Sequence, residues 1–460
     1  MLKWGLGEMP TSAKKKHIQH QLATLAKALE SGTMLPVRRM LSNMASTEVA
    51  HLLESSPPKQ RAILWTLLDL EREGEVLQEL GEELQSDFIR NMDTQELLSI
   101  LEGLEPDDIV DILQQLPDTV TREVLAEMDQ QDRHRVERIL PYDEESAGGL
   151  MNTDTITVRA DLTLDVVLRY LRRHDELPET TDSLFVVNRK DKLLGLLPIN
   201  KLLVSDQNMT VREIMQTDYE AIDAQMSDSE VARKFERNDW VTAPVVDNDN
   251  TLLGRITIDD VIDVIREDAD HSLLSLAGLD EDEDTFATVR KTAPRRAVWL
   301  GMNLLAVFLS ANVINMFEAT LEKVIALAIL MPVVASMGGV AGSQTLTVII
   351  RGMALGQIGR SNASWLFSRE LMVSALNGVF WATVAGFATA LWFNDQMLGI
   401  IIGTALVINI VIAAGAGVAI PLALKSMNID PALAGGMAIT TLTDAIGFFT
   451  FLGLATLFYA

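Results

Sequence analysis

Apolar positions divide the 460-residue chain into three regimes. From about Met40 to Leu140 they recur at helical spacing, with breaks near Ser55-Ser56-Pro57-Pro58, Glu105-Pro106, Pro117-Asp118 and Pro141. Proline cannot continue a helix and biases the residue before it away from helical geometry, so each break ends a short helix. MASTEVAHLLESSPP, MDTQELLSILEGLEP and LEPDDIVDILQQLPD repeat this plan with variation, which predicts a superhelical stack. The second regime, 141–265, holds a duplication. FVVNRKDKLLGLLPINKLL (Phe185–Leu203) aligns with PVVDNDNTLLGRITIDDVI (Pro244–Ile262) at an offset of 59, pairing Gly195 with Gly254, and LM at 150–151 matches IM at 214–215. Each copy predicts strand, helix, strand, turn, strand, helix, the last helix opened by Asn200 or Asp259. The third regime, 297–460, contains five apolar segments long enough to span a bilayer: Ala297–Met316, Val324–Ile350, Leu371–Phe393, Met397–Leu424 and Ala432–Tyr459. Between the second and third lies a charged connector, 266–296, with the run Asp280 to Asp284. Ahead of everything, residues 1–35 are weakly patterned, a loosely ordered lead-in with one helix predicted over His17–Leu29. Domain limits are therefore expected at 1–35, 36–140, 141–265, 266–296 and 297–460.

Charge follows the same division. Residues 1–296 hold 33 of the 38 Lys and Arg and 58 of the 64 Asp and Glu, so the acidic excess belongs almost wholly to the water-facing part. Such a surface repels nucleic acid and attracts cations. There is no cysteine, and all six histidines precede the apolar region, which excludes disulfides, iron–sulfur clusters and thiolate zinc sites. Any metal handled inside the membrane must then be met by oxygen, with Met thioethers the one softer option; oxygen suits Mg2+, Ca2+ or Mn2+. Arg290, Lys291, Arg295 and Arg296 flank the first span, Arg351, Arg360 and Arg369 crowd the second connection, and Lys425 marks the fourth. The positive-inside rule then gives a cytoplasmic N-terminus and, with five spans, a C-terminus outside. Lys14-Lys15-Lys16 has no apolar run behind it, so no signal peptide is expected.

One ionisable side chain stands where a bilayer penalises it. Asp444 lies ~21 Å along a helix from Asp430, near the middle of a hydrocarbon layer ~30 Å thick, at a cost of at least ~2.5 kcal/mol. A passing cation offsets that cost; a protonated Asp bonded within the bundle is the alternative. Gly436, Thr440 and Asp444 share one helical face, flanked by Thr441 and Gly447. In the second span, MPVVASMGGVAGSQT combines Pro332 with Gly338 and Gly339, which free backbone carbonyls for a path, while Gly338 and Gly342 also form a GxxxG packing pair. Asn409 and the AAGAG run at 413–417 read as close packing. Asp430 before Pro431 reads as a helix N-cap with Pro at the first helical position. One Asp per chain is too few for Mg2+, but a twofold homodimer faces two across its axis, enough for a hydrated ion.

The tandem duplication resembles a pair of CBS domains, which implies adenosine-nucleotide binding or a ligand-gated lever, or a scaffold for a dimer; ATP at the pair is one such ligand. With the helical N-domain, the connector, five spans, PVVASMGG in span two and DPALAGG…TTLTD in span five, the chain from about 40 to 460 resembles the MgtE family of magnesium channels and transporters. The fold expected is a multidomain membrane protein: an all-α superhelical N-domain, an α+β tandem CBS pair, a connector (plug) helix at about Leu273–Thr292 and a five-helix α-helical transmembrane domain. The resemblance implies a homodimer in a plasma or bacterial inner membrane, with Asp444 the central ion site and Asp430 on its cytoplasmic side. It also implies cytosolic carboxylates that bind Mg2+ and close the pore, for which Asp107, Asp111, Asp260, Asp263, Glu267 and Asp268 are the candidates by pattern. Val340 stands where many members have Asn, Met437 where members often carry Pro, and His271 and Ser272 interrupt the connector's acidic stretch. Two other readings remain: a proton- or Na+-coupled divalent-cation carrier with Asp444 as its proton site, and a non-conducting CBS-type sensor. No Ser/His/Asp, Cys/His or P-loop constellation appears, so no enzyme is expected.

Overall fold

The computed structural model describes residues 34–459 apart from 91, 175, 176, 179, 280–282, 360 and 428, with no side-chain description for Glu71. The lead-in helix expected over His17–Leu29 and most of the acidic run lie outside these residues. The described chain separates into two units, 34–268 with 283–288, and 269–279 with 289–459.

The first unit opens with nine short helices: α1 Leu35–Leu41, α2 Ser46–Glu54, α3 Pro58–Trp65, α4 Leu70–Gln78, α5 Glu82–Ile89, α6 Thr94–Leu101, α7 Pro106–Gln114, α8 Asp118–Glu127 and α9 Gln130–Ile139. The breaks expected at Ser55-Ser56-Pro57-Pro58, Glu105-Pro106, Pro117-Asp118 and Pro141 all fall between or after helices, and Pro stands at the first turn of α1, α3 and α7. Asp93 starts α6 by accepting from the Gln95 and Glu96 amides, while Glu96 accepts from the Asp93 amide, a reciprocal cap. Alternate helices pack: α2 on α4, α4 on α6, α6 on α8 and α7 on α9. Their inward stripes, including Val49, Leu53, Leu64, Leu77, Ile100, Val110 and Val124, are buried in one core.

The duplicated stretch forms two three-stranded sheets. In the first, β1 Thr157–Arg159 runs parallel to β2 Ser183–Val187, which pairs antiparallel with β3 Leu193–Pro198; in the second, β4 Ile222–Asp223, β5 Thr242–Val246 and β6 Leu252–Thr257 repeat that order. Helices α10 Leu164–Leu171, α11 Ile199–Val204, α12 Val211–Ile214 and α13 Asp228–Asn238 complete the pair. The two matched glycines have one cause. A Cβ on Gly195 would lie 2.5 Å from the Gln216 carbonyl, and one on Gly254 would lie 2.6 Å from that of Asn152, because a backbone segment bridges to each strand there.

The last helix of this pair, α14 Ile258–Ser275, is longer than its counterpart. It differs from the connector helix expected at about Leu273–Thr292, because the chain turns at Gly278, φ +71°, and Leu279 bonds back to the Leu274 carbonyl. A left-handed glycine ends a helix in this way.

The second unit carries five helices long and apolar enough to cross a membrane: α15 Val289–Asn315, α17 Ile325–Ala354, α18 Ala363–Phe393, α19 Gln396–Ser426 and α20 Pro431–Tyr459, with a short α16 Glu318–Lys323 after the first. They contain nearly all of the spans read from sequence, the first and third starting eight residues earlier and the second ending four residues later than expected. α19 is the central element, packed against α17, α18 and α20. Small residues allow the approach: a Cβ on Gly386 would lie 2.7 Å from the Gly399 carbonyl across the α18–α19 crossing. Exposed Leu, Val, Phe and Trp side chains on α15 and α18 form the apolar exterior that lipid requires.

Candidate functional site

Two arrangements of chemistry-bearing side chains emerge, one in each unit. In the membrane unit, α17 and α20 line a groove of about 840 Å3. Its wall on α17 is Ala335, Ser336, Gly339, Val340, Ser343, Gln344, Thr347 and Val348; α20 contributes Thr440 and Asp444. The Thr440 hydroxyl donates to the Gly436 carbonyl at 3.0 Å, which leaves its own oxygen facing outward as an acceptor. Asp444 is half-buried beside it. Of the residues expected along a path, Gly339, Thr440 and Asp444 meet in this groove. Gly338 does not: it is buried on another face of α17, where a Cβ would meet Asn409 at 2.2 Å. Thr441 donates to the Met437 carbonyl at 2.8 Å, and neither it nor Gly436 lines the groove. Ser336, Ser343, Gln344 and Thr347 were not named as lining from sequence, although the 3.6-residue period starting from Gly339 points to 336, 343 and 347.

Asp430 caps α20, accepting from the Ala432 and Leu433 amides at 2.9 Å each. Its Oδ2 also stands 3.3 Å from His271 Nε2, so the histidine that interrupts the acidic stretch faces the carboxylate at the start of the last span.

In the first unit, carboxylates from α7 and α14 converge. Asp107 is buried and accepts from the Asn152 amide at 3.3 Å; the same amide group contacts Glu105. Burial, then the Asp260, Asp108 and Glu105 carboxylates, push Asp107 well above the usual range. Asp108 is raised to about 7 by burial and then by Asp260 and Glu105. Asp111 is raised to about 8 by burial, then by Glu144, Asp108, Asp260 and Glu267. Burial carries Asp260 to about 6 against the opposing hydrogen bond from the Thr257 hydroxyl, 2.7 Å. Thus Asp107, Asp111, Asp260 and Glu267, chosen from sequence, share one electrostatic environment. Asp263 belongs to another, 3.7 Å from Arg266 and near Glu79. Asp268 accepts from Ser229 at 3.3 Å beside Asp228. Sequence reading missed Glu105, Asp108 and Glu144, for which the only signal was adjacency to other acids. Among the described residues, no three His, Asp or Glu groups are already drawn together as an ion cage.

A second cleft, about 550 Å3, opens between the two CBS-like halves and is lined by Thr181, Asp182, Pro198, Asn200, Tyr219, Asp239, Trp240 and Thr242 among others.

Comparison with known proteins agrees with this architecture. The family described as "Divalent cation transporter" (MgtE) matches residues 331–454, the MgtE intracellular N domain matches 44–145, and the CBS domain matches 147–205 and 211–267. The chain is 30% identical over 439 residues to the magnesium transporter MgtE of Thermus thermophilus, covering 94% of this chain and 97% of that one. It is 29% identical over 432 residues to the Bacillus subtilis protein of the same name, covering 94% and 95%. A solved structure, the cytosolic domain of the Mg2+ channel MgtE in complex with ATP, covers 53% of this chain and 99% of its own at 33% identity, with a TM-score of 0.48. Five spans, an oxygen-bearing groove and a match to divalent-cation transporters define a multi-pass membrane protein that moves divalent cations. The chain belongs to the MgtE family.

Proposed function

We propose that the protein is a Mg2+-preferring channel or transporter that works as a homodimer, with Asp444 at the centre of its path. The observation that carries this reading is the groove itself, where one carboxylate and the Thr440 hydroxyl stand with Gly339, Ser343 and Gln344 on a membrane helix pair. Hard oxygen ligands suit Mg2+, which sheds water reluctantly and keeps part of its shell. Two facing copies of the groove supply two carboxylates to one hydrated ion. Asp430 stands at the cytoplasmic entrance, the N-terminus is cytoplasmic, the C-terminus is outside, and the membrane is the plasma or bacterial inner membrane.

The acidic cluster is the internal Mg2+ sensor. Like charges at ~4 Å repel by roughly 4 kcal/mol at an effective dielectric near 20, and a bridging cation reverses the sign. High cytosolic Mg2+ therefore draws α7 and α14 together and closes the pore. The cleft between the CBS halves takes an adenosine nucleotide, a reading supported by its size and by the CBS match. The test is Mg2+ flux into proteoliposomes carrying the full chain, with Mg2+ on the cytoplasmic side varied. Asp444→Asn is expected to abolish flux, roughly a hundredfold loss or more, and wild-type flux is expected to fall as internal Mg2+ rises. Full flux through Asp444→Asn would sink the pore assignment.

A further inference from the structure

Asn409 is the polar side chain of α19 that packing alone does not explain. It is fully buried, yet one of its two polar atoms, Oδ1, has no hydrogen-bond partner among the described residues. An Ala or Leu filler would avoid that orphaned acceptor. What the amide adds is its N–H: Nδ2 donates to the Val334 carbonyl of α17 at 3.0 Å, and that acceptor fixes which way the amide points. The neighbouring helices are shaped around it. A Cβ on Gly338 of α17 would lie 2.2 Å from Nδ2, and one on Gly447 of α20 would lie 2.6 Å from it. A side chain at either position would have to push the Asn409 amide aside.

These contacts sit directly behind the groove. Gly338 precedes Gly339, which lines it, and Gly447 follows Asp444 by three residues, just under one helical turn. We propose that Asn409 is a positioning residue of the ion path: its amide, keyed into the two glycines, sets the spacing of α17 and α20 at the level of Asp444 and so the width available to a hydrated cation. This inference rests on the reading that Asp444 lies on the path. Ion discrimination depends on that width, because Mg2+ and Ca2+ differ in size and in how readily they lose water.

The test measures Mg2+ and Ca2+ flux against ion concentration for the full chain in proteoliposomes. Gly338→Ala and Gly447→Ala are each expected to lower Mg2+ flux about tenfold or more, since a displacement near 1 Å is enough for such losses. Combining either with Asn409→Ala is expected to restore flux to within roughly threefold of wild type, because the smaller side chain makes room for the methyl. Two merely destabilising changes would instead add, so double variants no better than the glycine singles would overturn the proposal. Asn409→Leu keeps most of the volume and loses the N–H. It is expected to raise the half-saturating Mg2+ concentration about threefold, the factor of an average interhelical hydrogen bond, and to narrow the preference for Mg2+ over Ca2+. Wild-type half-saturation and preference in Asn409→Leu would also overturn it, even if a glycine variant failed to assemble. Asp444→Asn runs beside these. Flux surviving that change sinks the pore reading together with this inference, whereas loss of flux there with no recovery in the doubles sinks this inference alone.

Discussion

Arg61 carries a full charge at a position only 4% exposed, and every nitrogen of its guanidinium has a hydrogen-bond partner. Nη1 and Nη2 meet Asp284 at 2.5 and 2.7 Å as a bidentate pair, while Nε and Nη2 donate to the Leu53 and Glu54 carbonyls. Removing one member of a buried pair leaves the other charge in a medium that solvates it poorly. Arg61→Met is therefore expected to cost about 3–5 kcal/mol, and Arg61→Met with Asp284→Leu far less. Unfolding of the full chain in detergent, single against double variant, measures the difference. A double variant as damaged as the single would mean that the pair's charge is not what matters. Nothing in the sequence announced this pair, because its members stand 223 positions apart and Asp284 sits at the end of an acidic run that reads as solvated. Asp444 was legible for the opposite reason: a carboxylate in a long apolar run needs no partner to be conspicuous. Gly338 misled because a GG doublet supplies two helical faces, and only packing against Asn409 decides which glycine meets the groove.

At the scale of elements, legibility follows local periodicity. The short N-terminal helices, the duplicated strands and the five spans all write their period and their breaks into neighbouring residues, and all are present. The end of α14 was misread because the apolar pattern continues through Leu273, Leu274 and Leu276 while the break depends on a single residue, Gly278. Its φ of +71° is open to glycine and costs an L-residue about 1–2 kcal/mol. A methyl there would also lie 2.1 Å from the indole nitrogen of Trp299 at the start of the first span. Gly278→Ala is expected to destabilise the chain by about 2 kcal/mol or more. Adding Trp299→Ala should relieve the steric share and leave the conformational one. Thermal unfolding of the two variants separates these shares, and equal midpoints would show that Trp299 does not hold the turn.

For the whole molecule, charge is divided so that nearly all of it faces water, and the pairing of distant acids is what sequence could not give. α7 and α14 are more than 140 residues apart in the chain, and helical spacing says which carboxylates share a face but not which faces meet. On the sensor reading proposed above, protons and Mg2+ compete for the site these acids form. Asp108, Asp111 and Asp260, at about 7, 8 and 6, bind protons more tightly folded than unfolded. Their contribution to stability is therefore fully present below the ordinary carboxylate value near 4 and is lost as pH rises through about 6 to 8. On that reading a divalent cation replaces the departing protons, so stabilisation by Mg2+ should be small at about pH 5 and large at about pH 8.5. Asp108→Asn with Asp111→Asn removes two of the repelling charges. It is expected to flatten the loss of stability with pH and to shrink the Mg2+ effect at high pH by about 2 kcal/mol or more. Unfolding midpoints at the two pH values, with and without Mg2+, test this directly. The same competition makes cytosolic acid a partial substitute for Mg2+: flux at low internal Mg2+ should fall as internal pH drops toward 6 in wild type and much less in the double variant. An undiminished acid response in that variant would place the proton-sensitive group elsewhere.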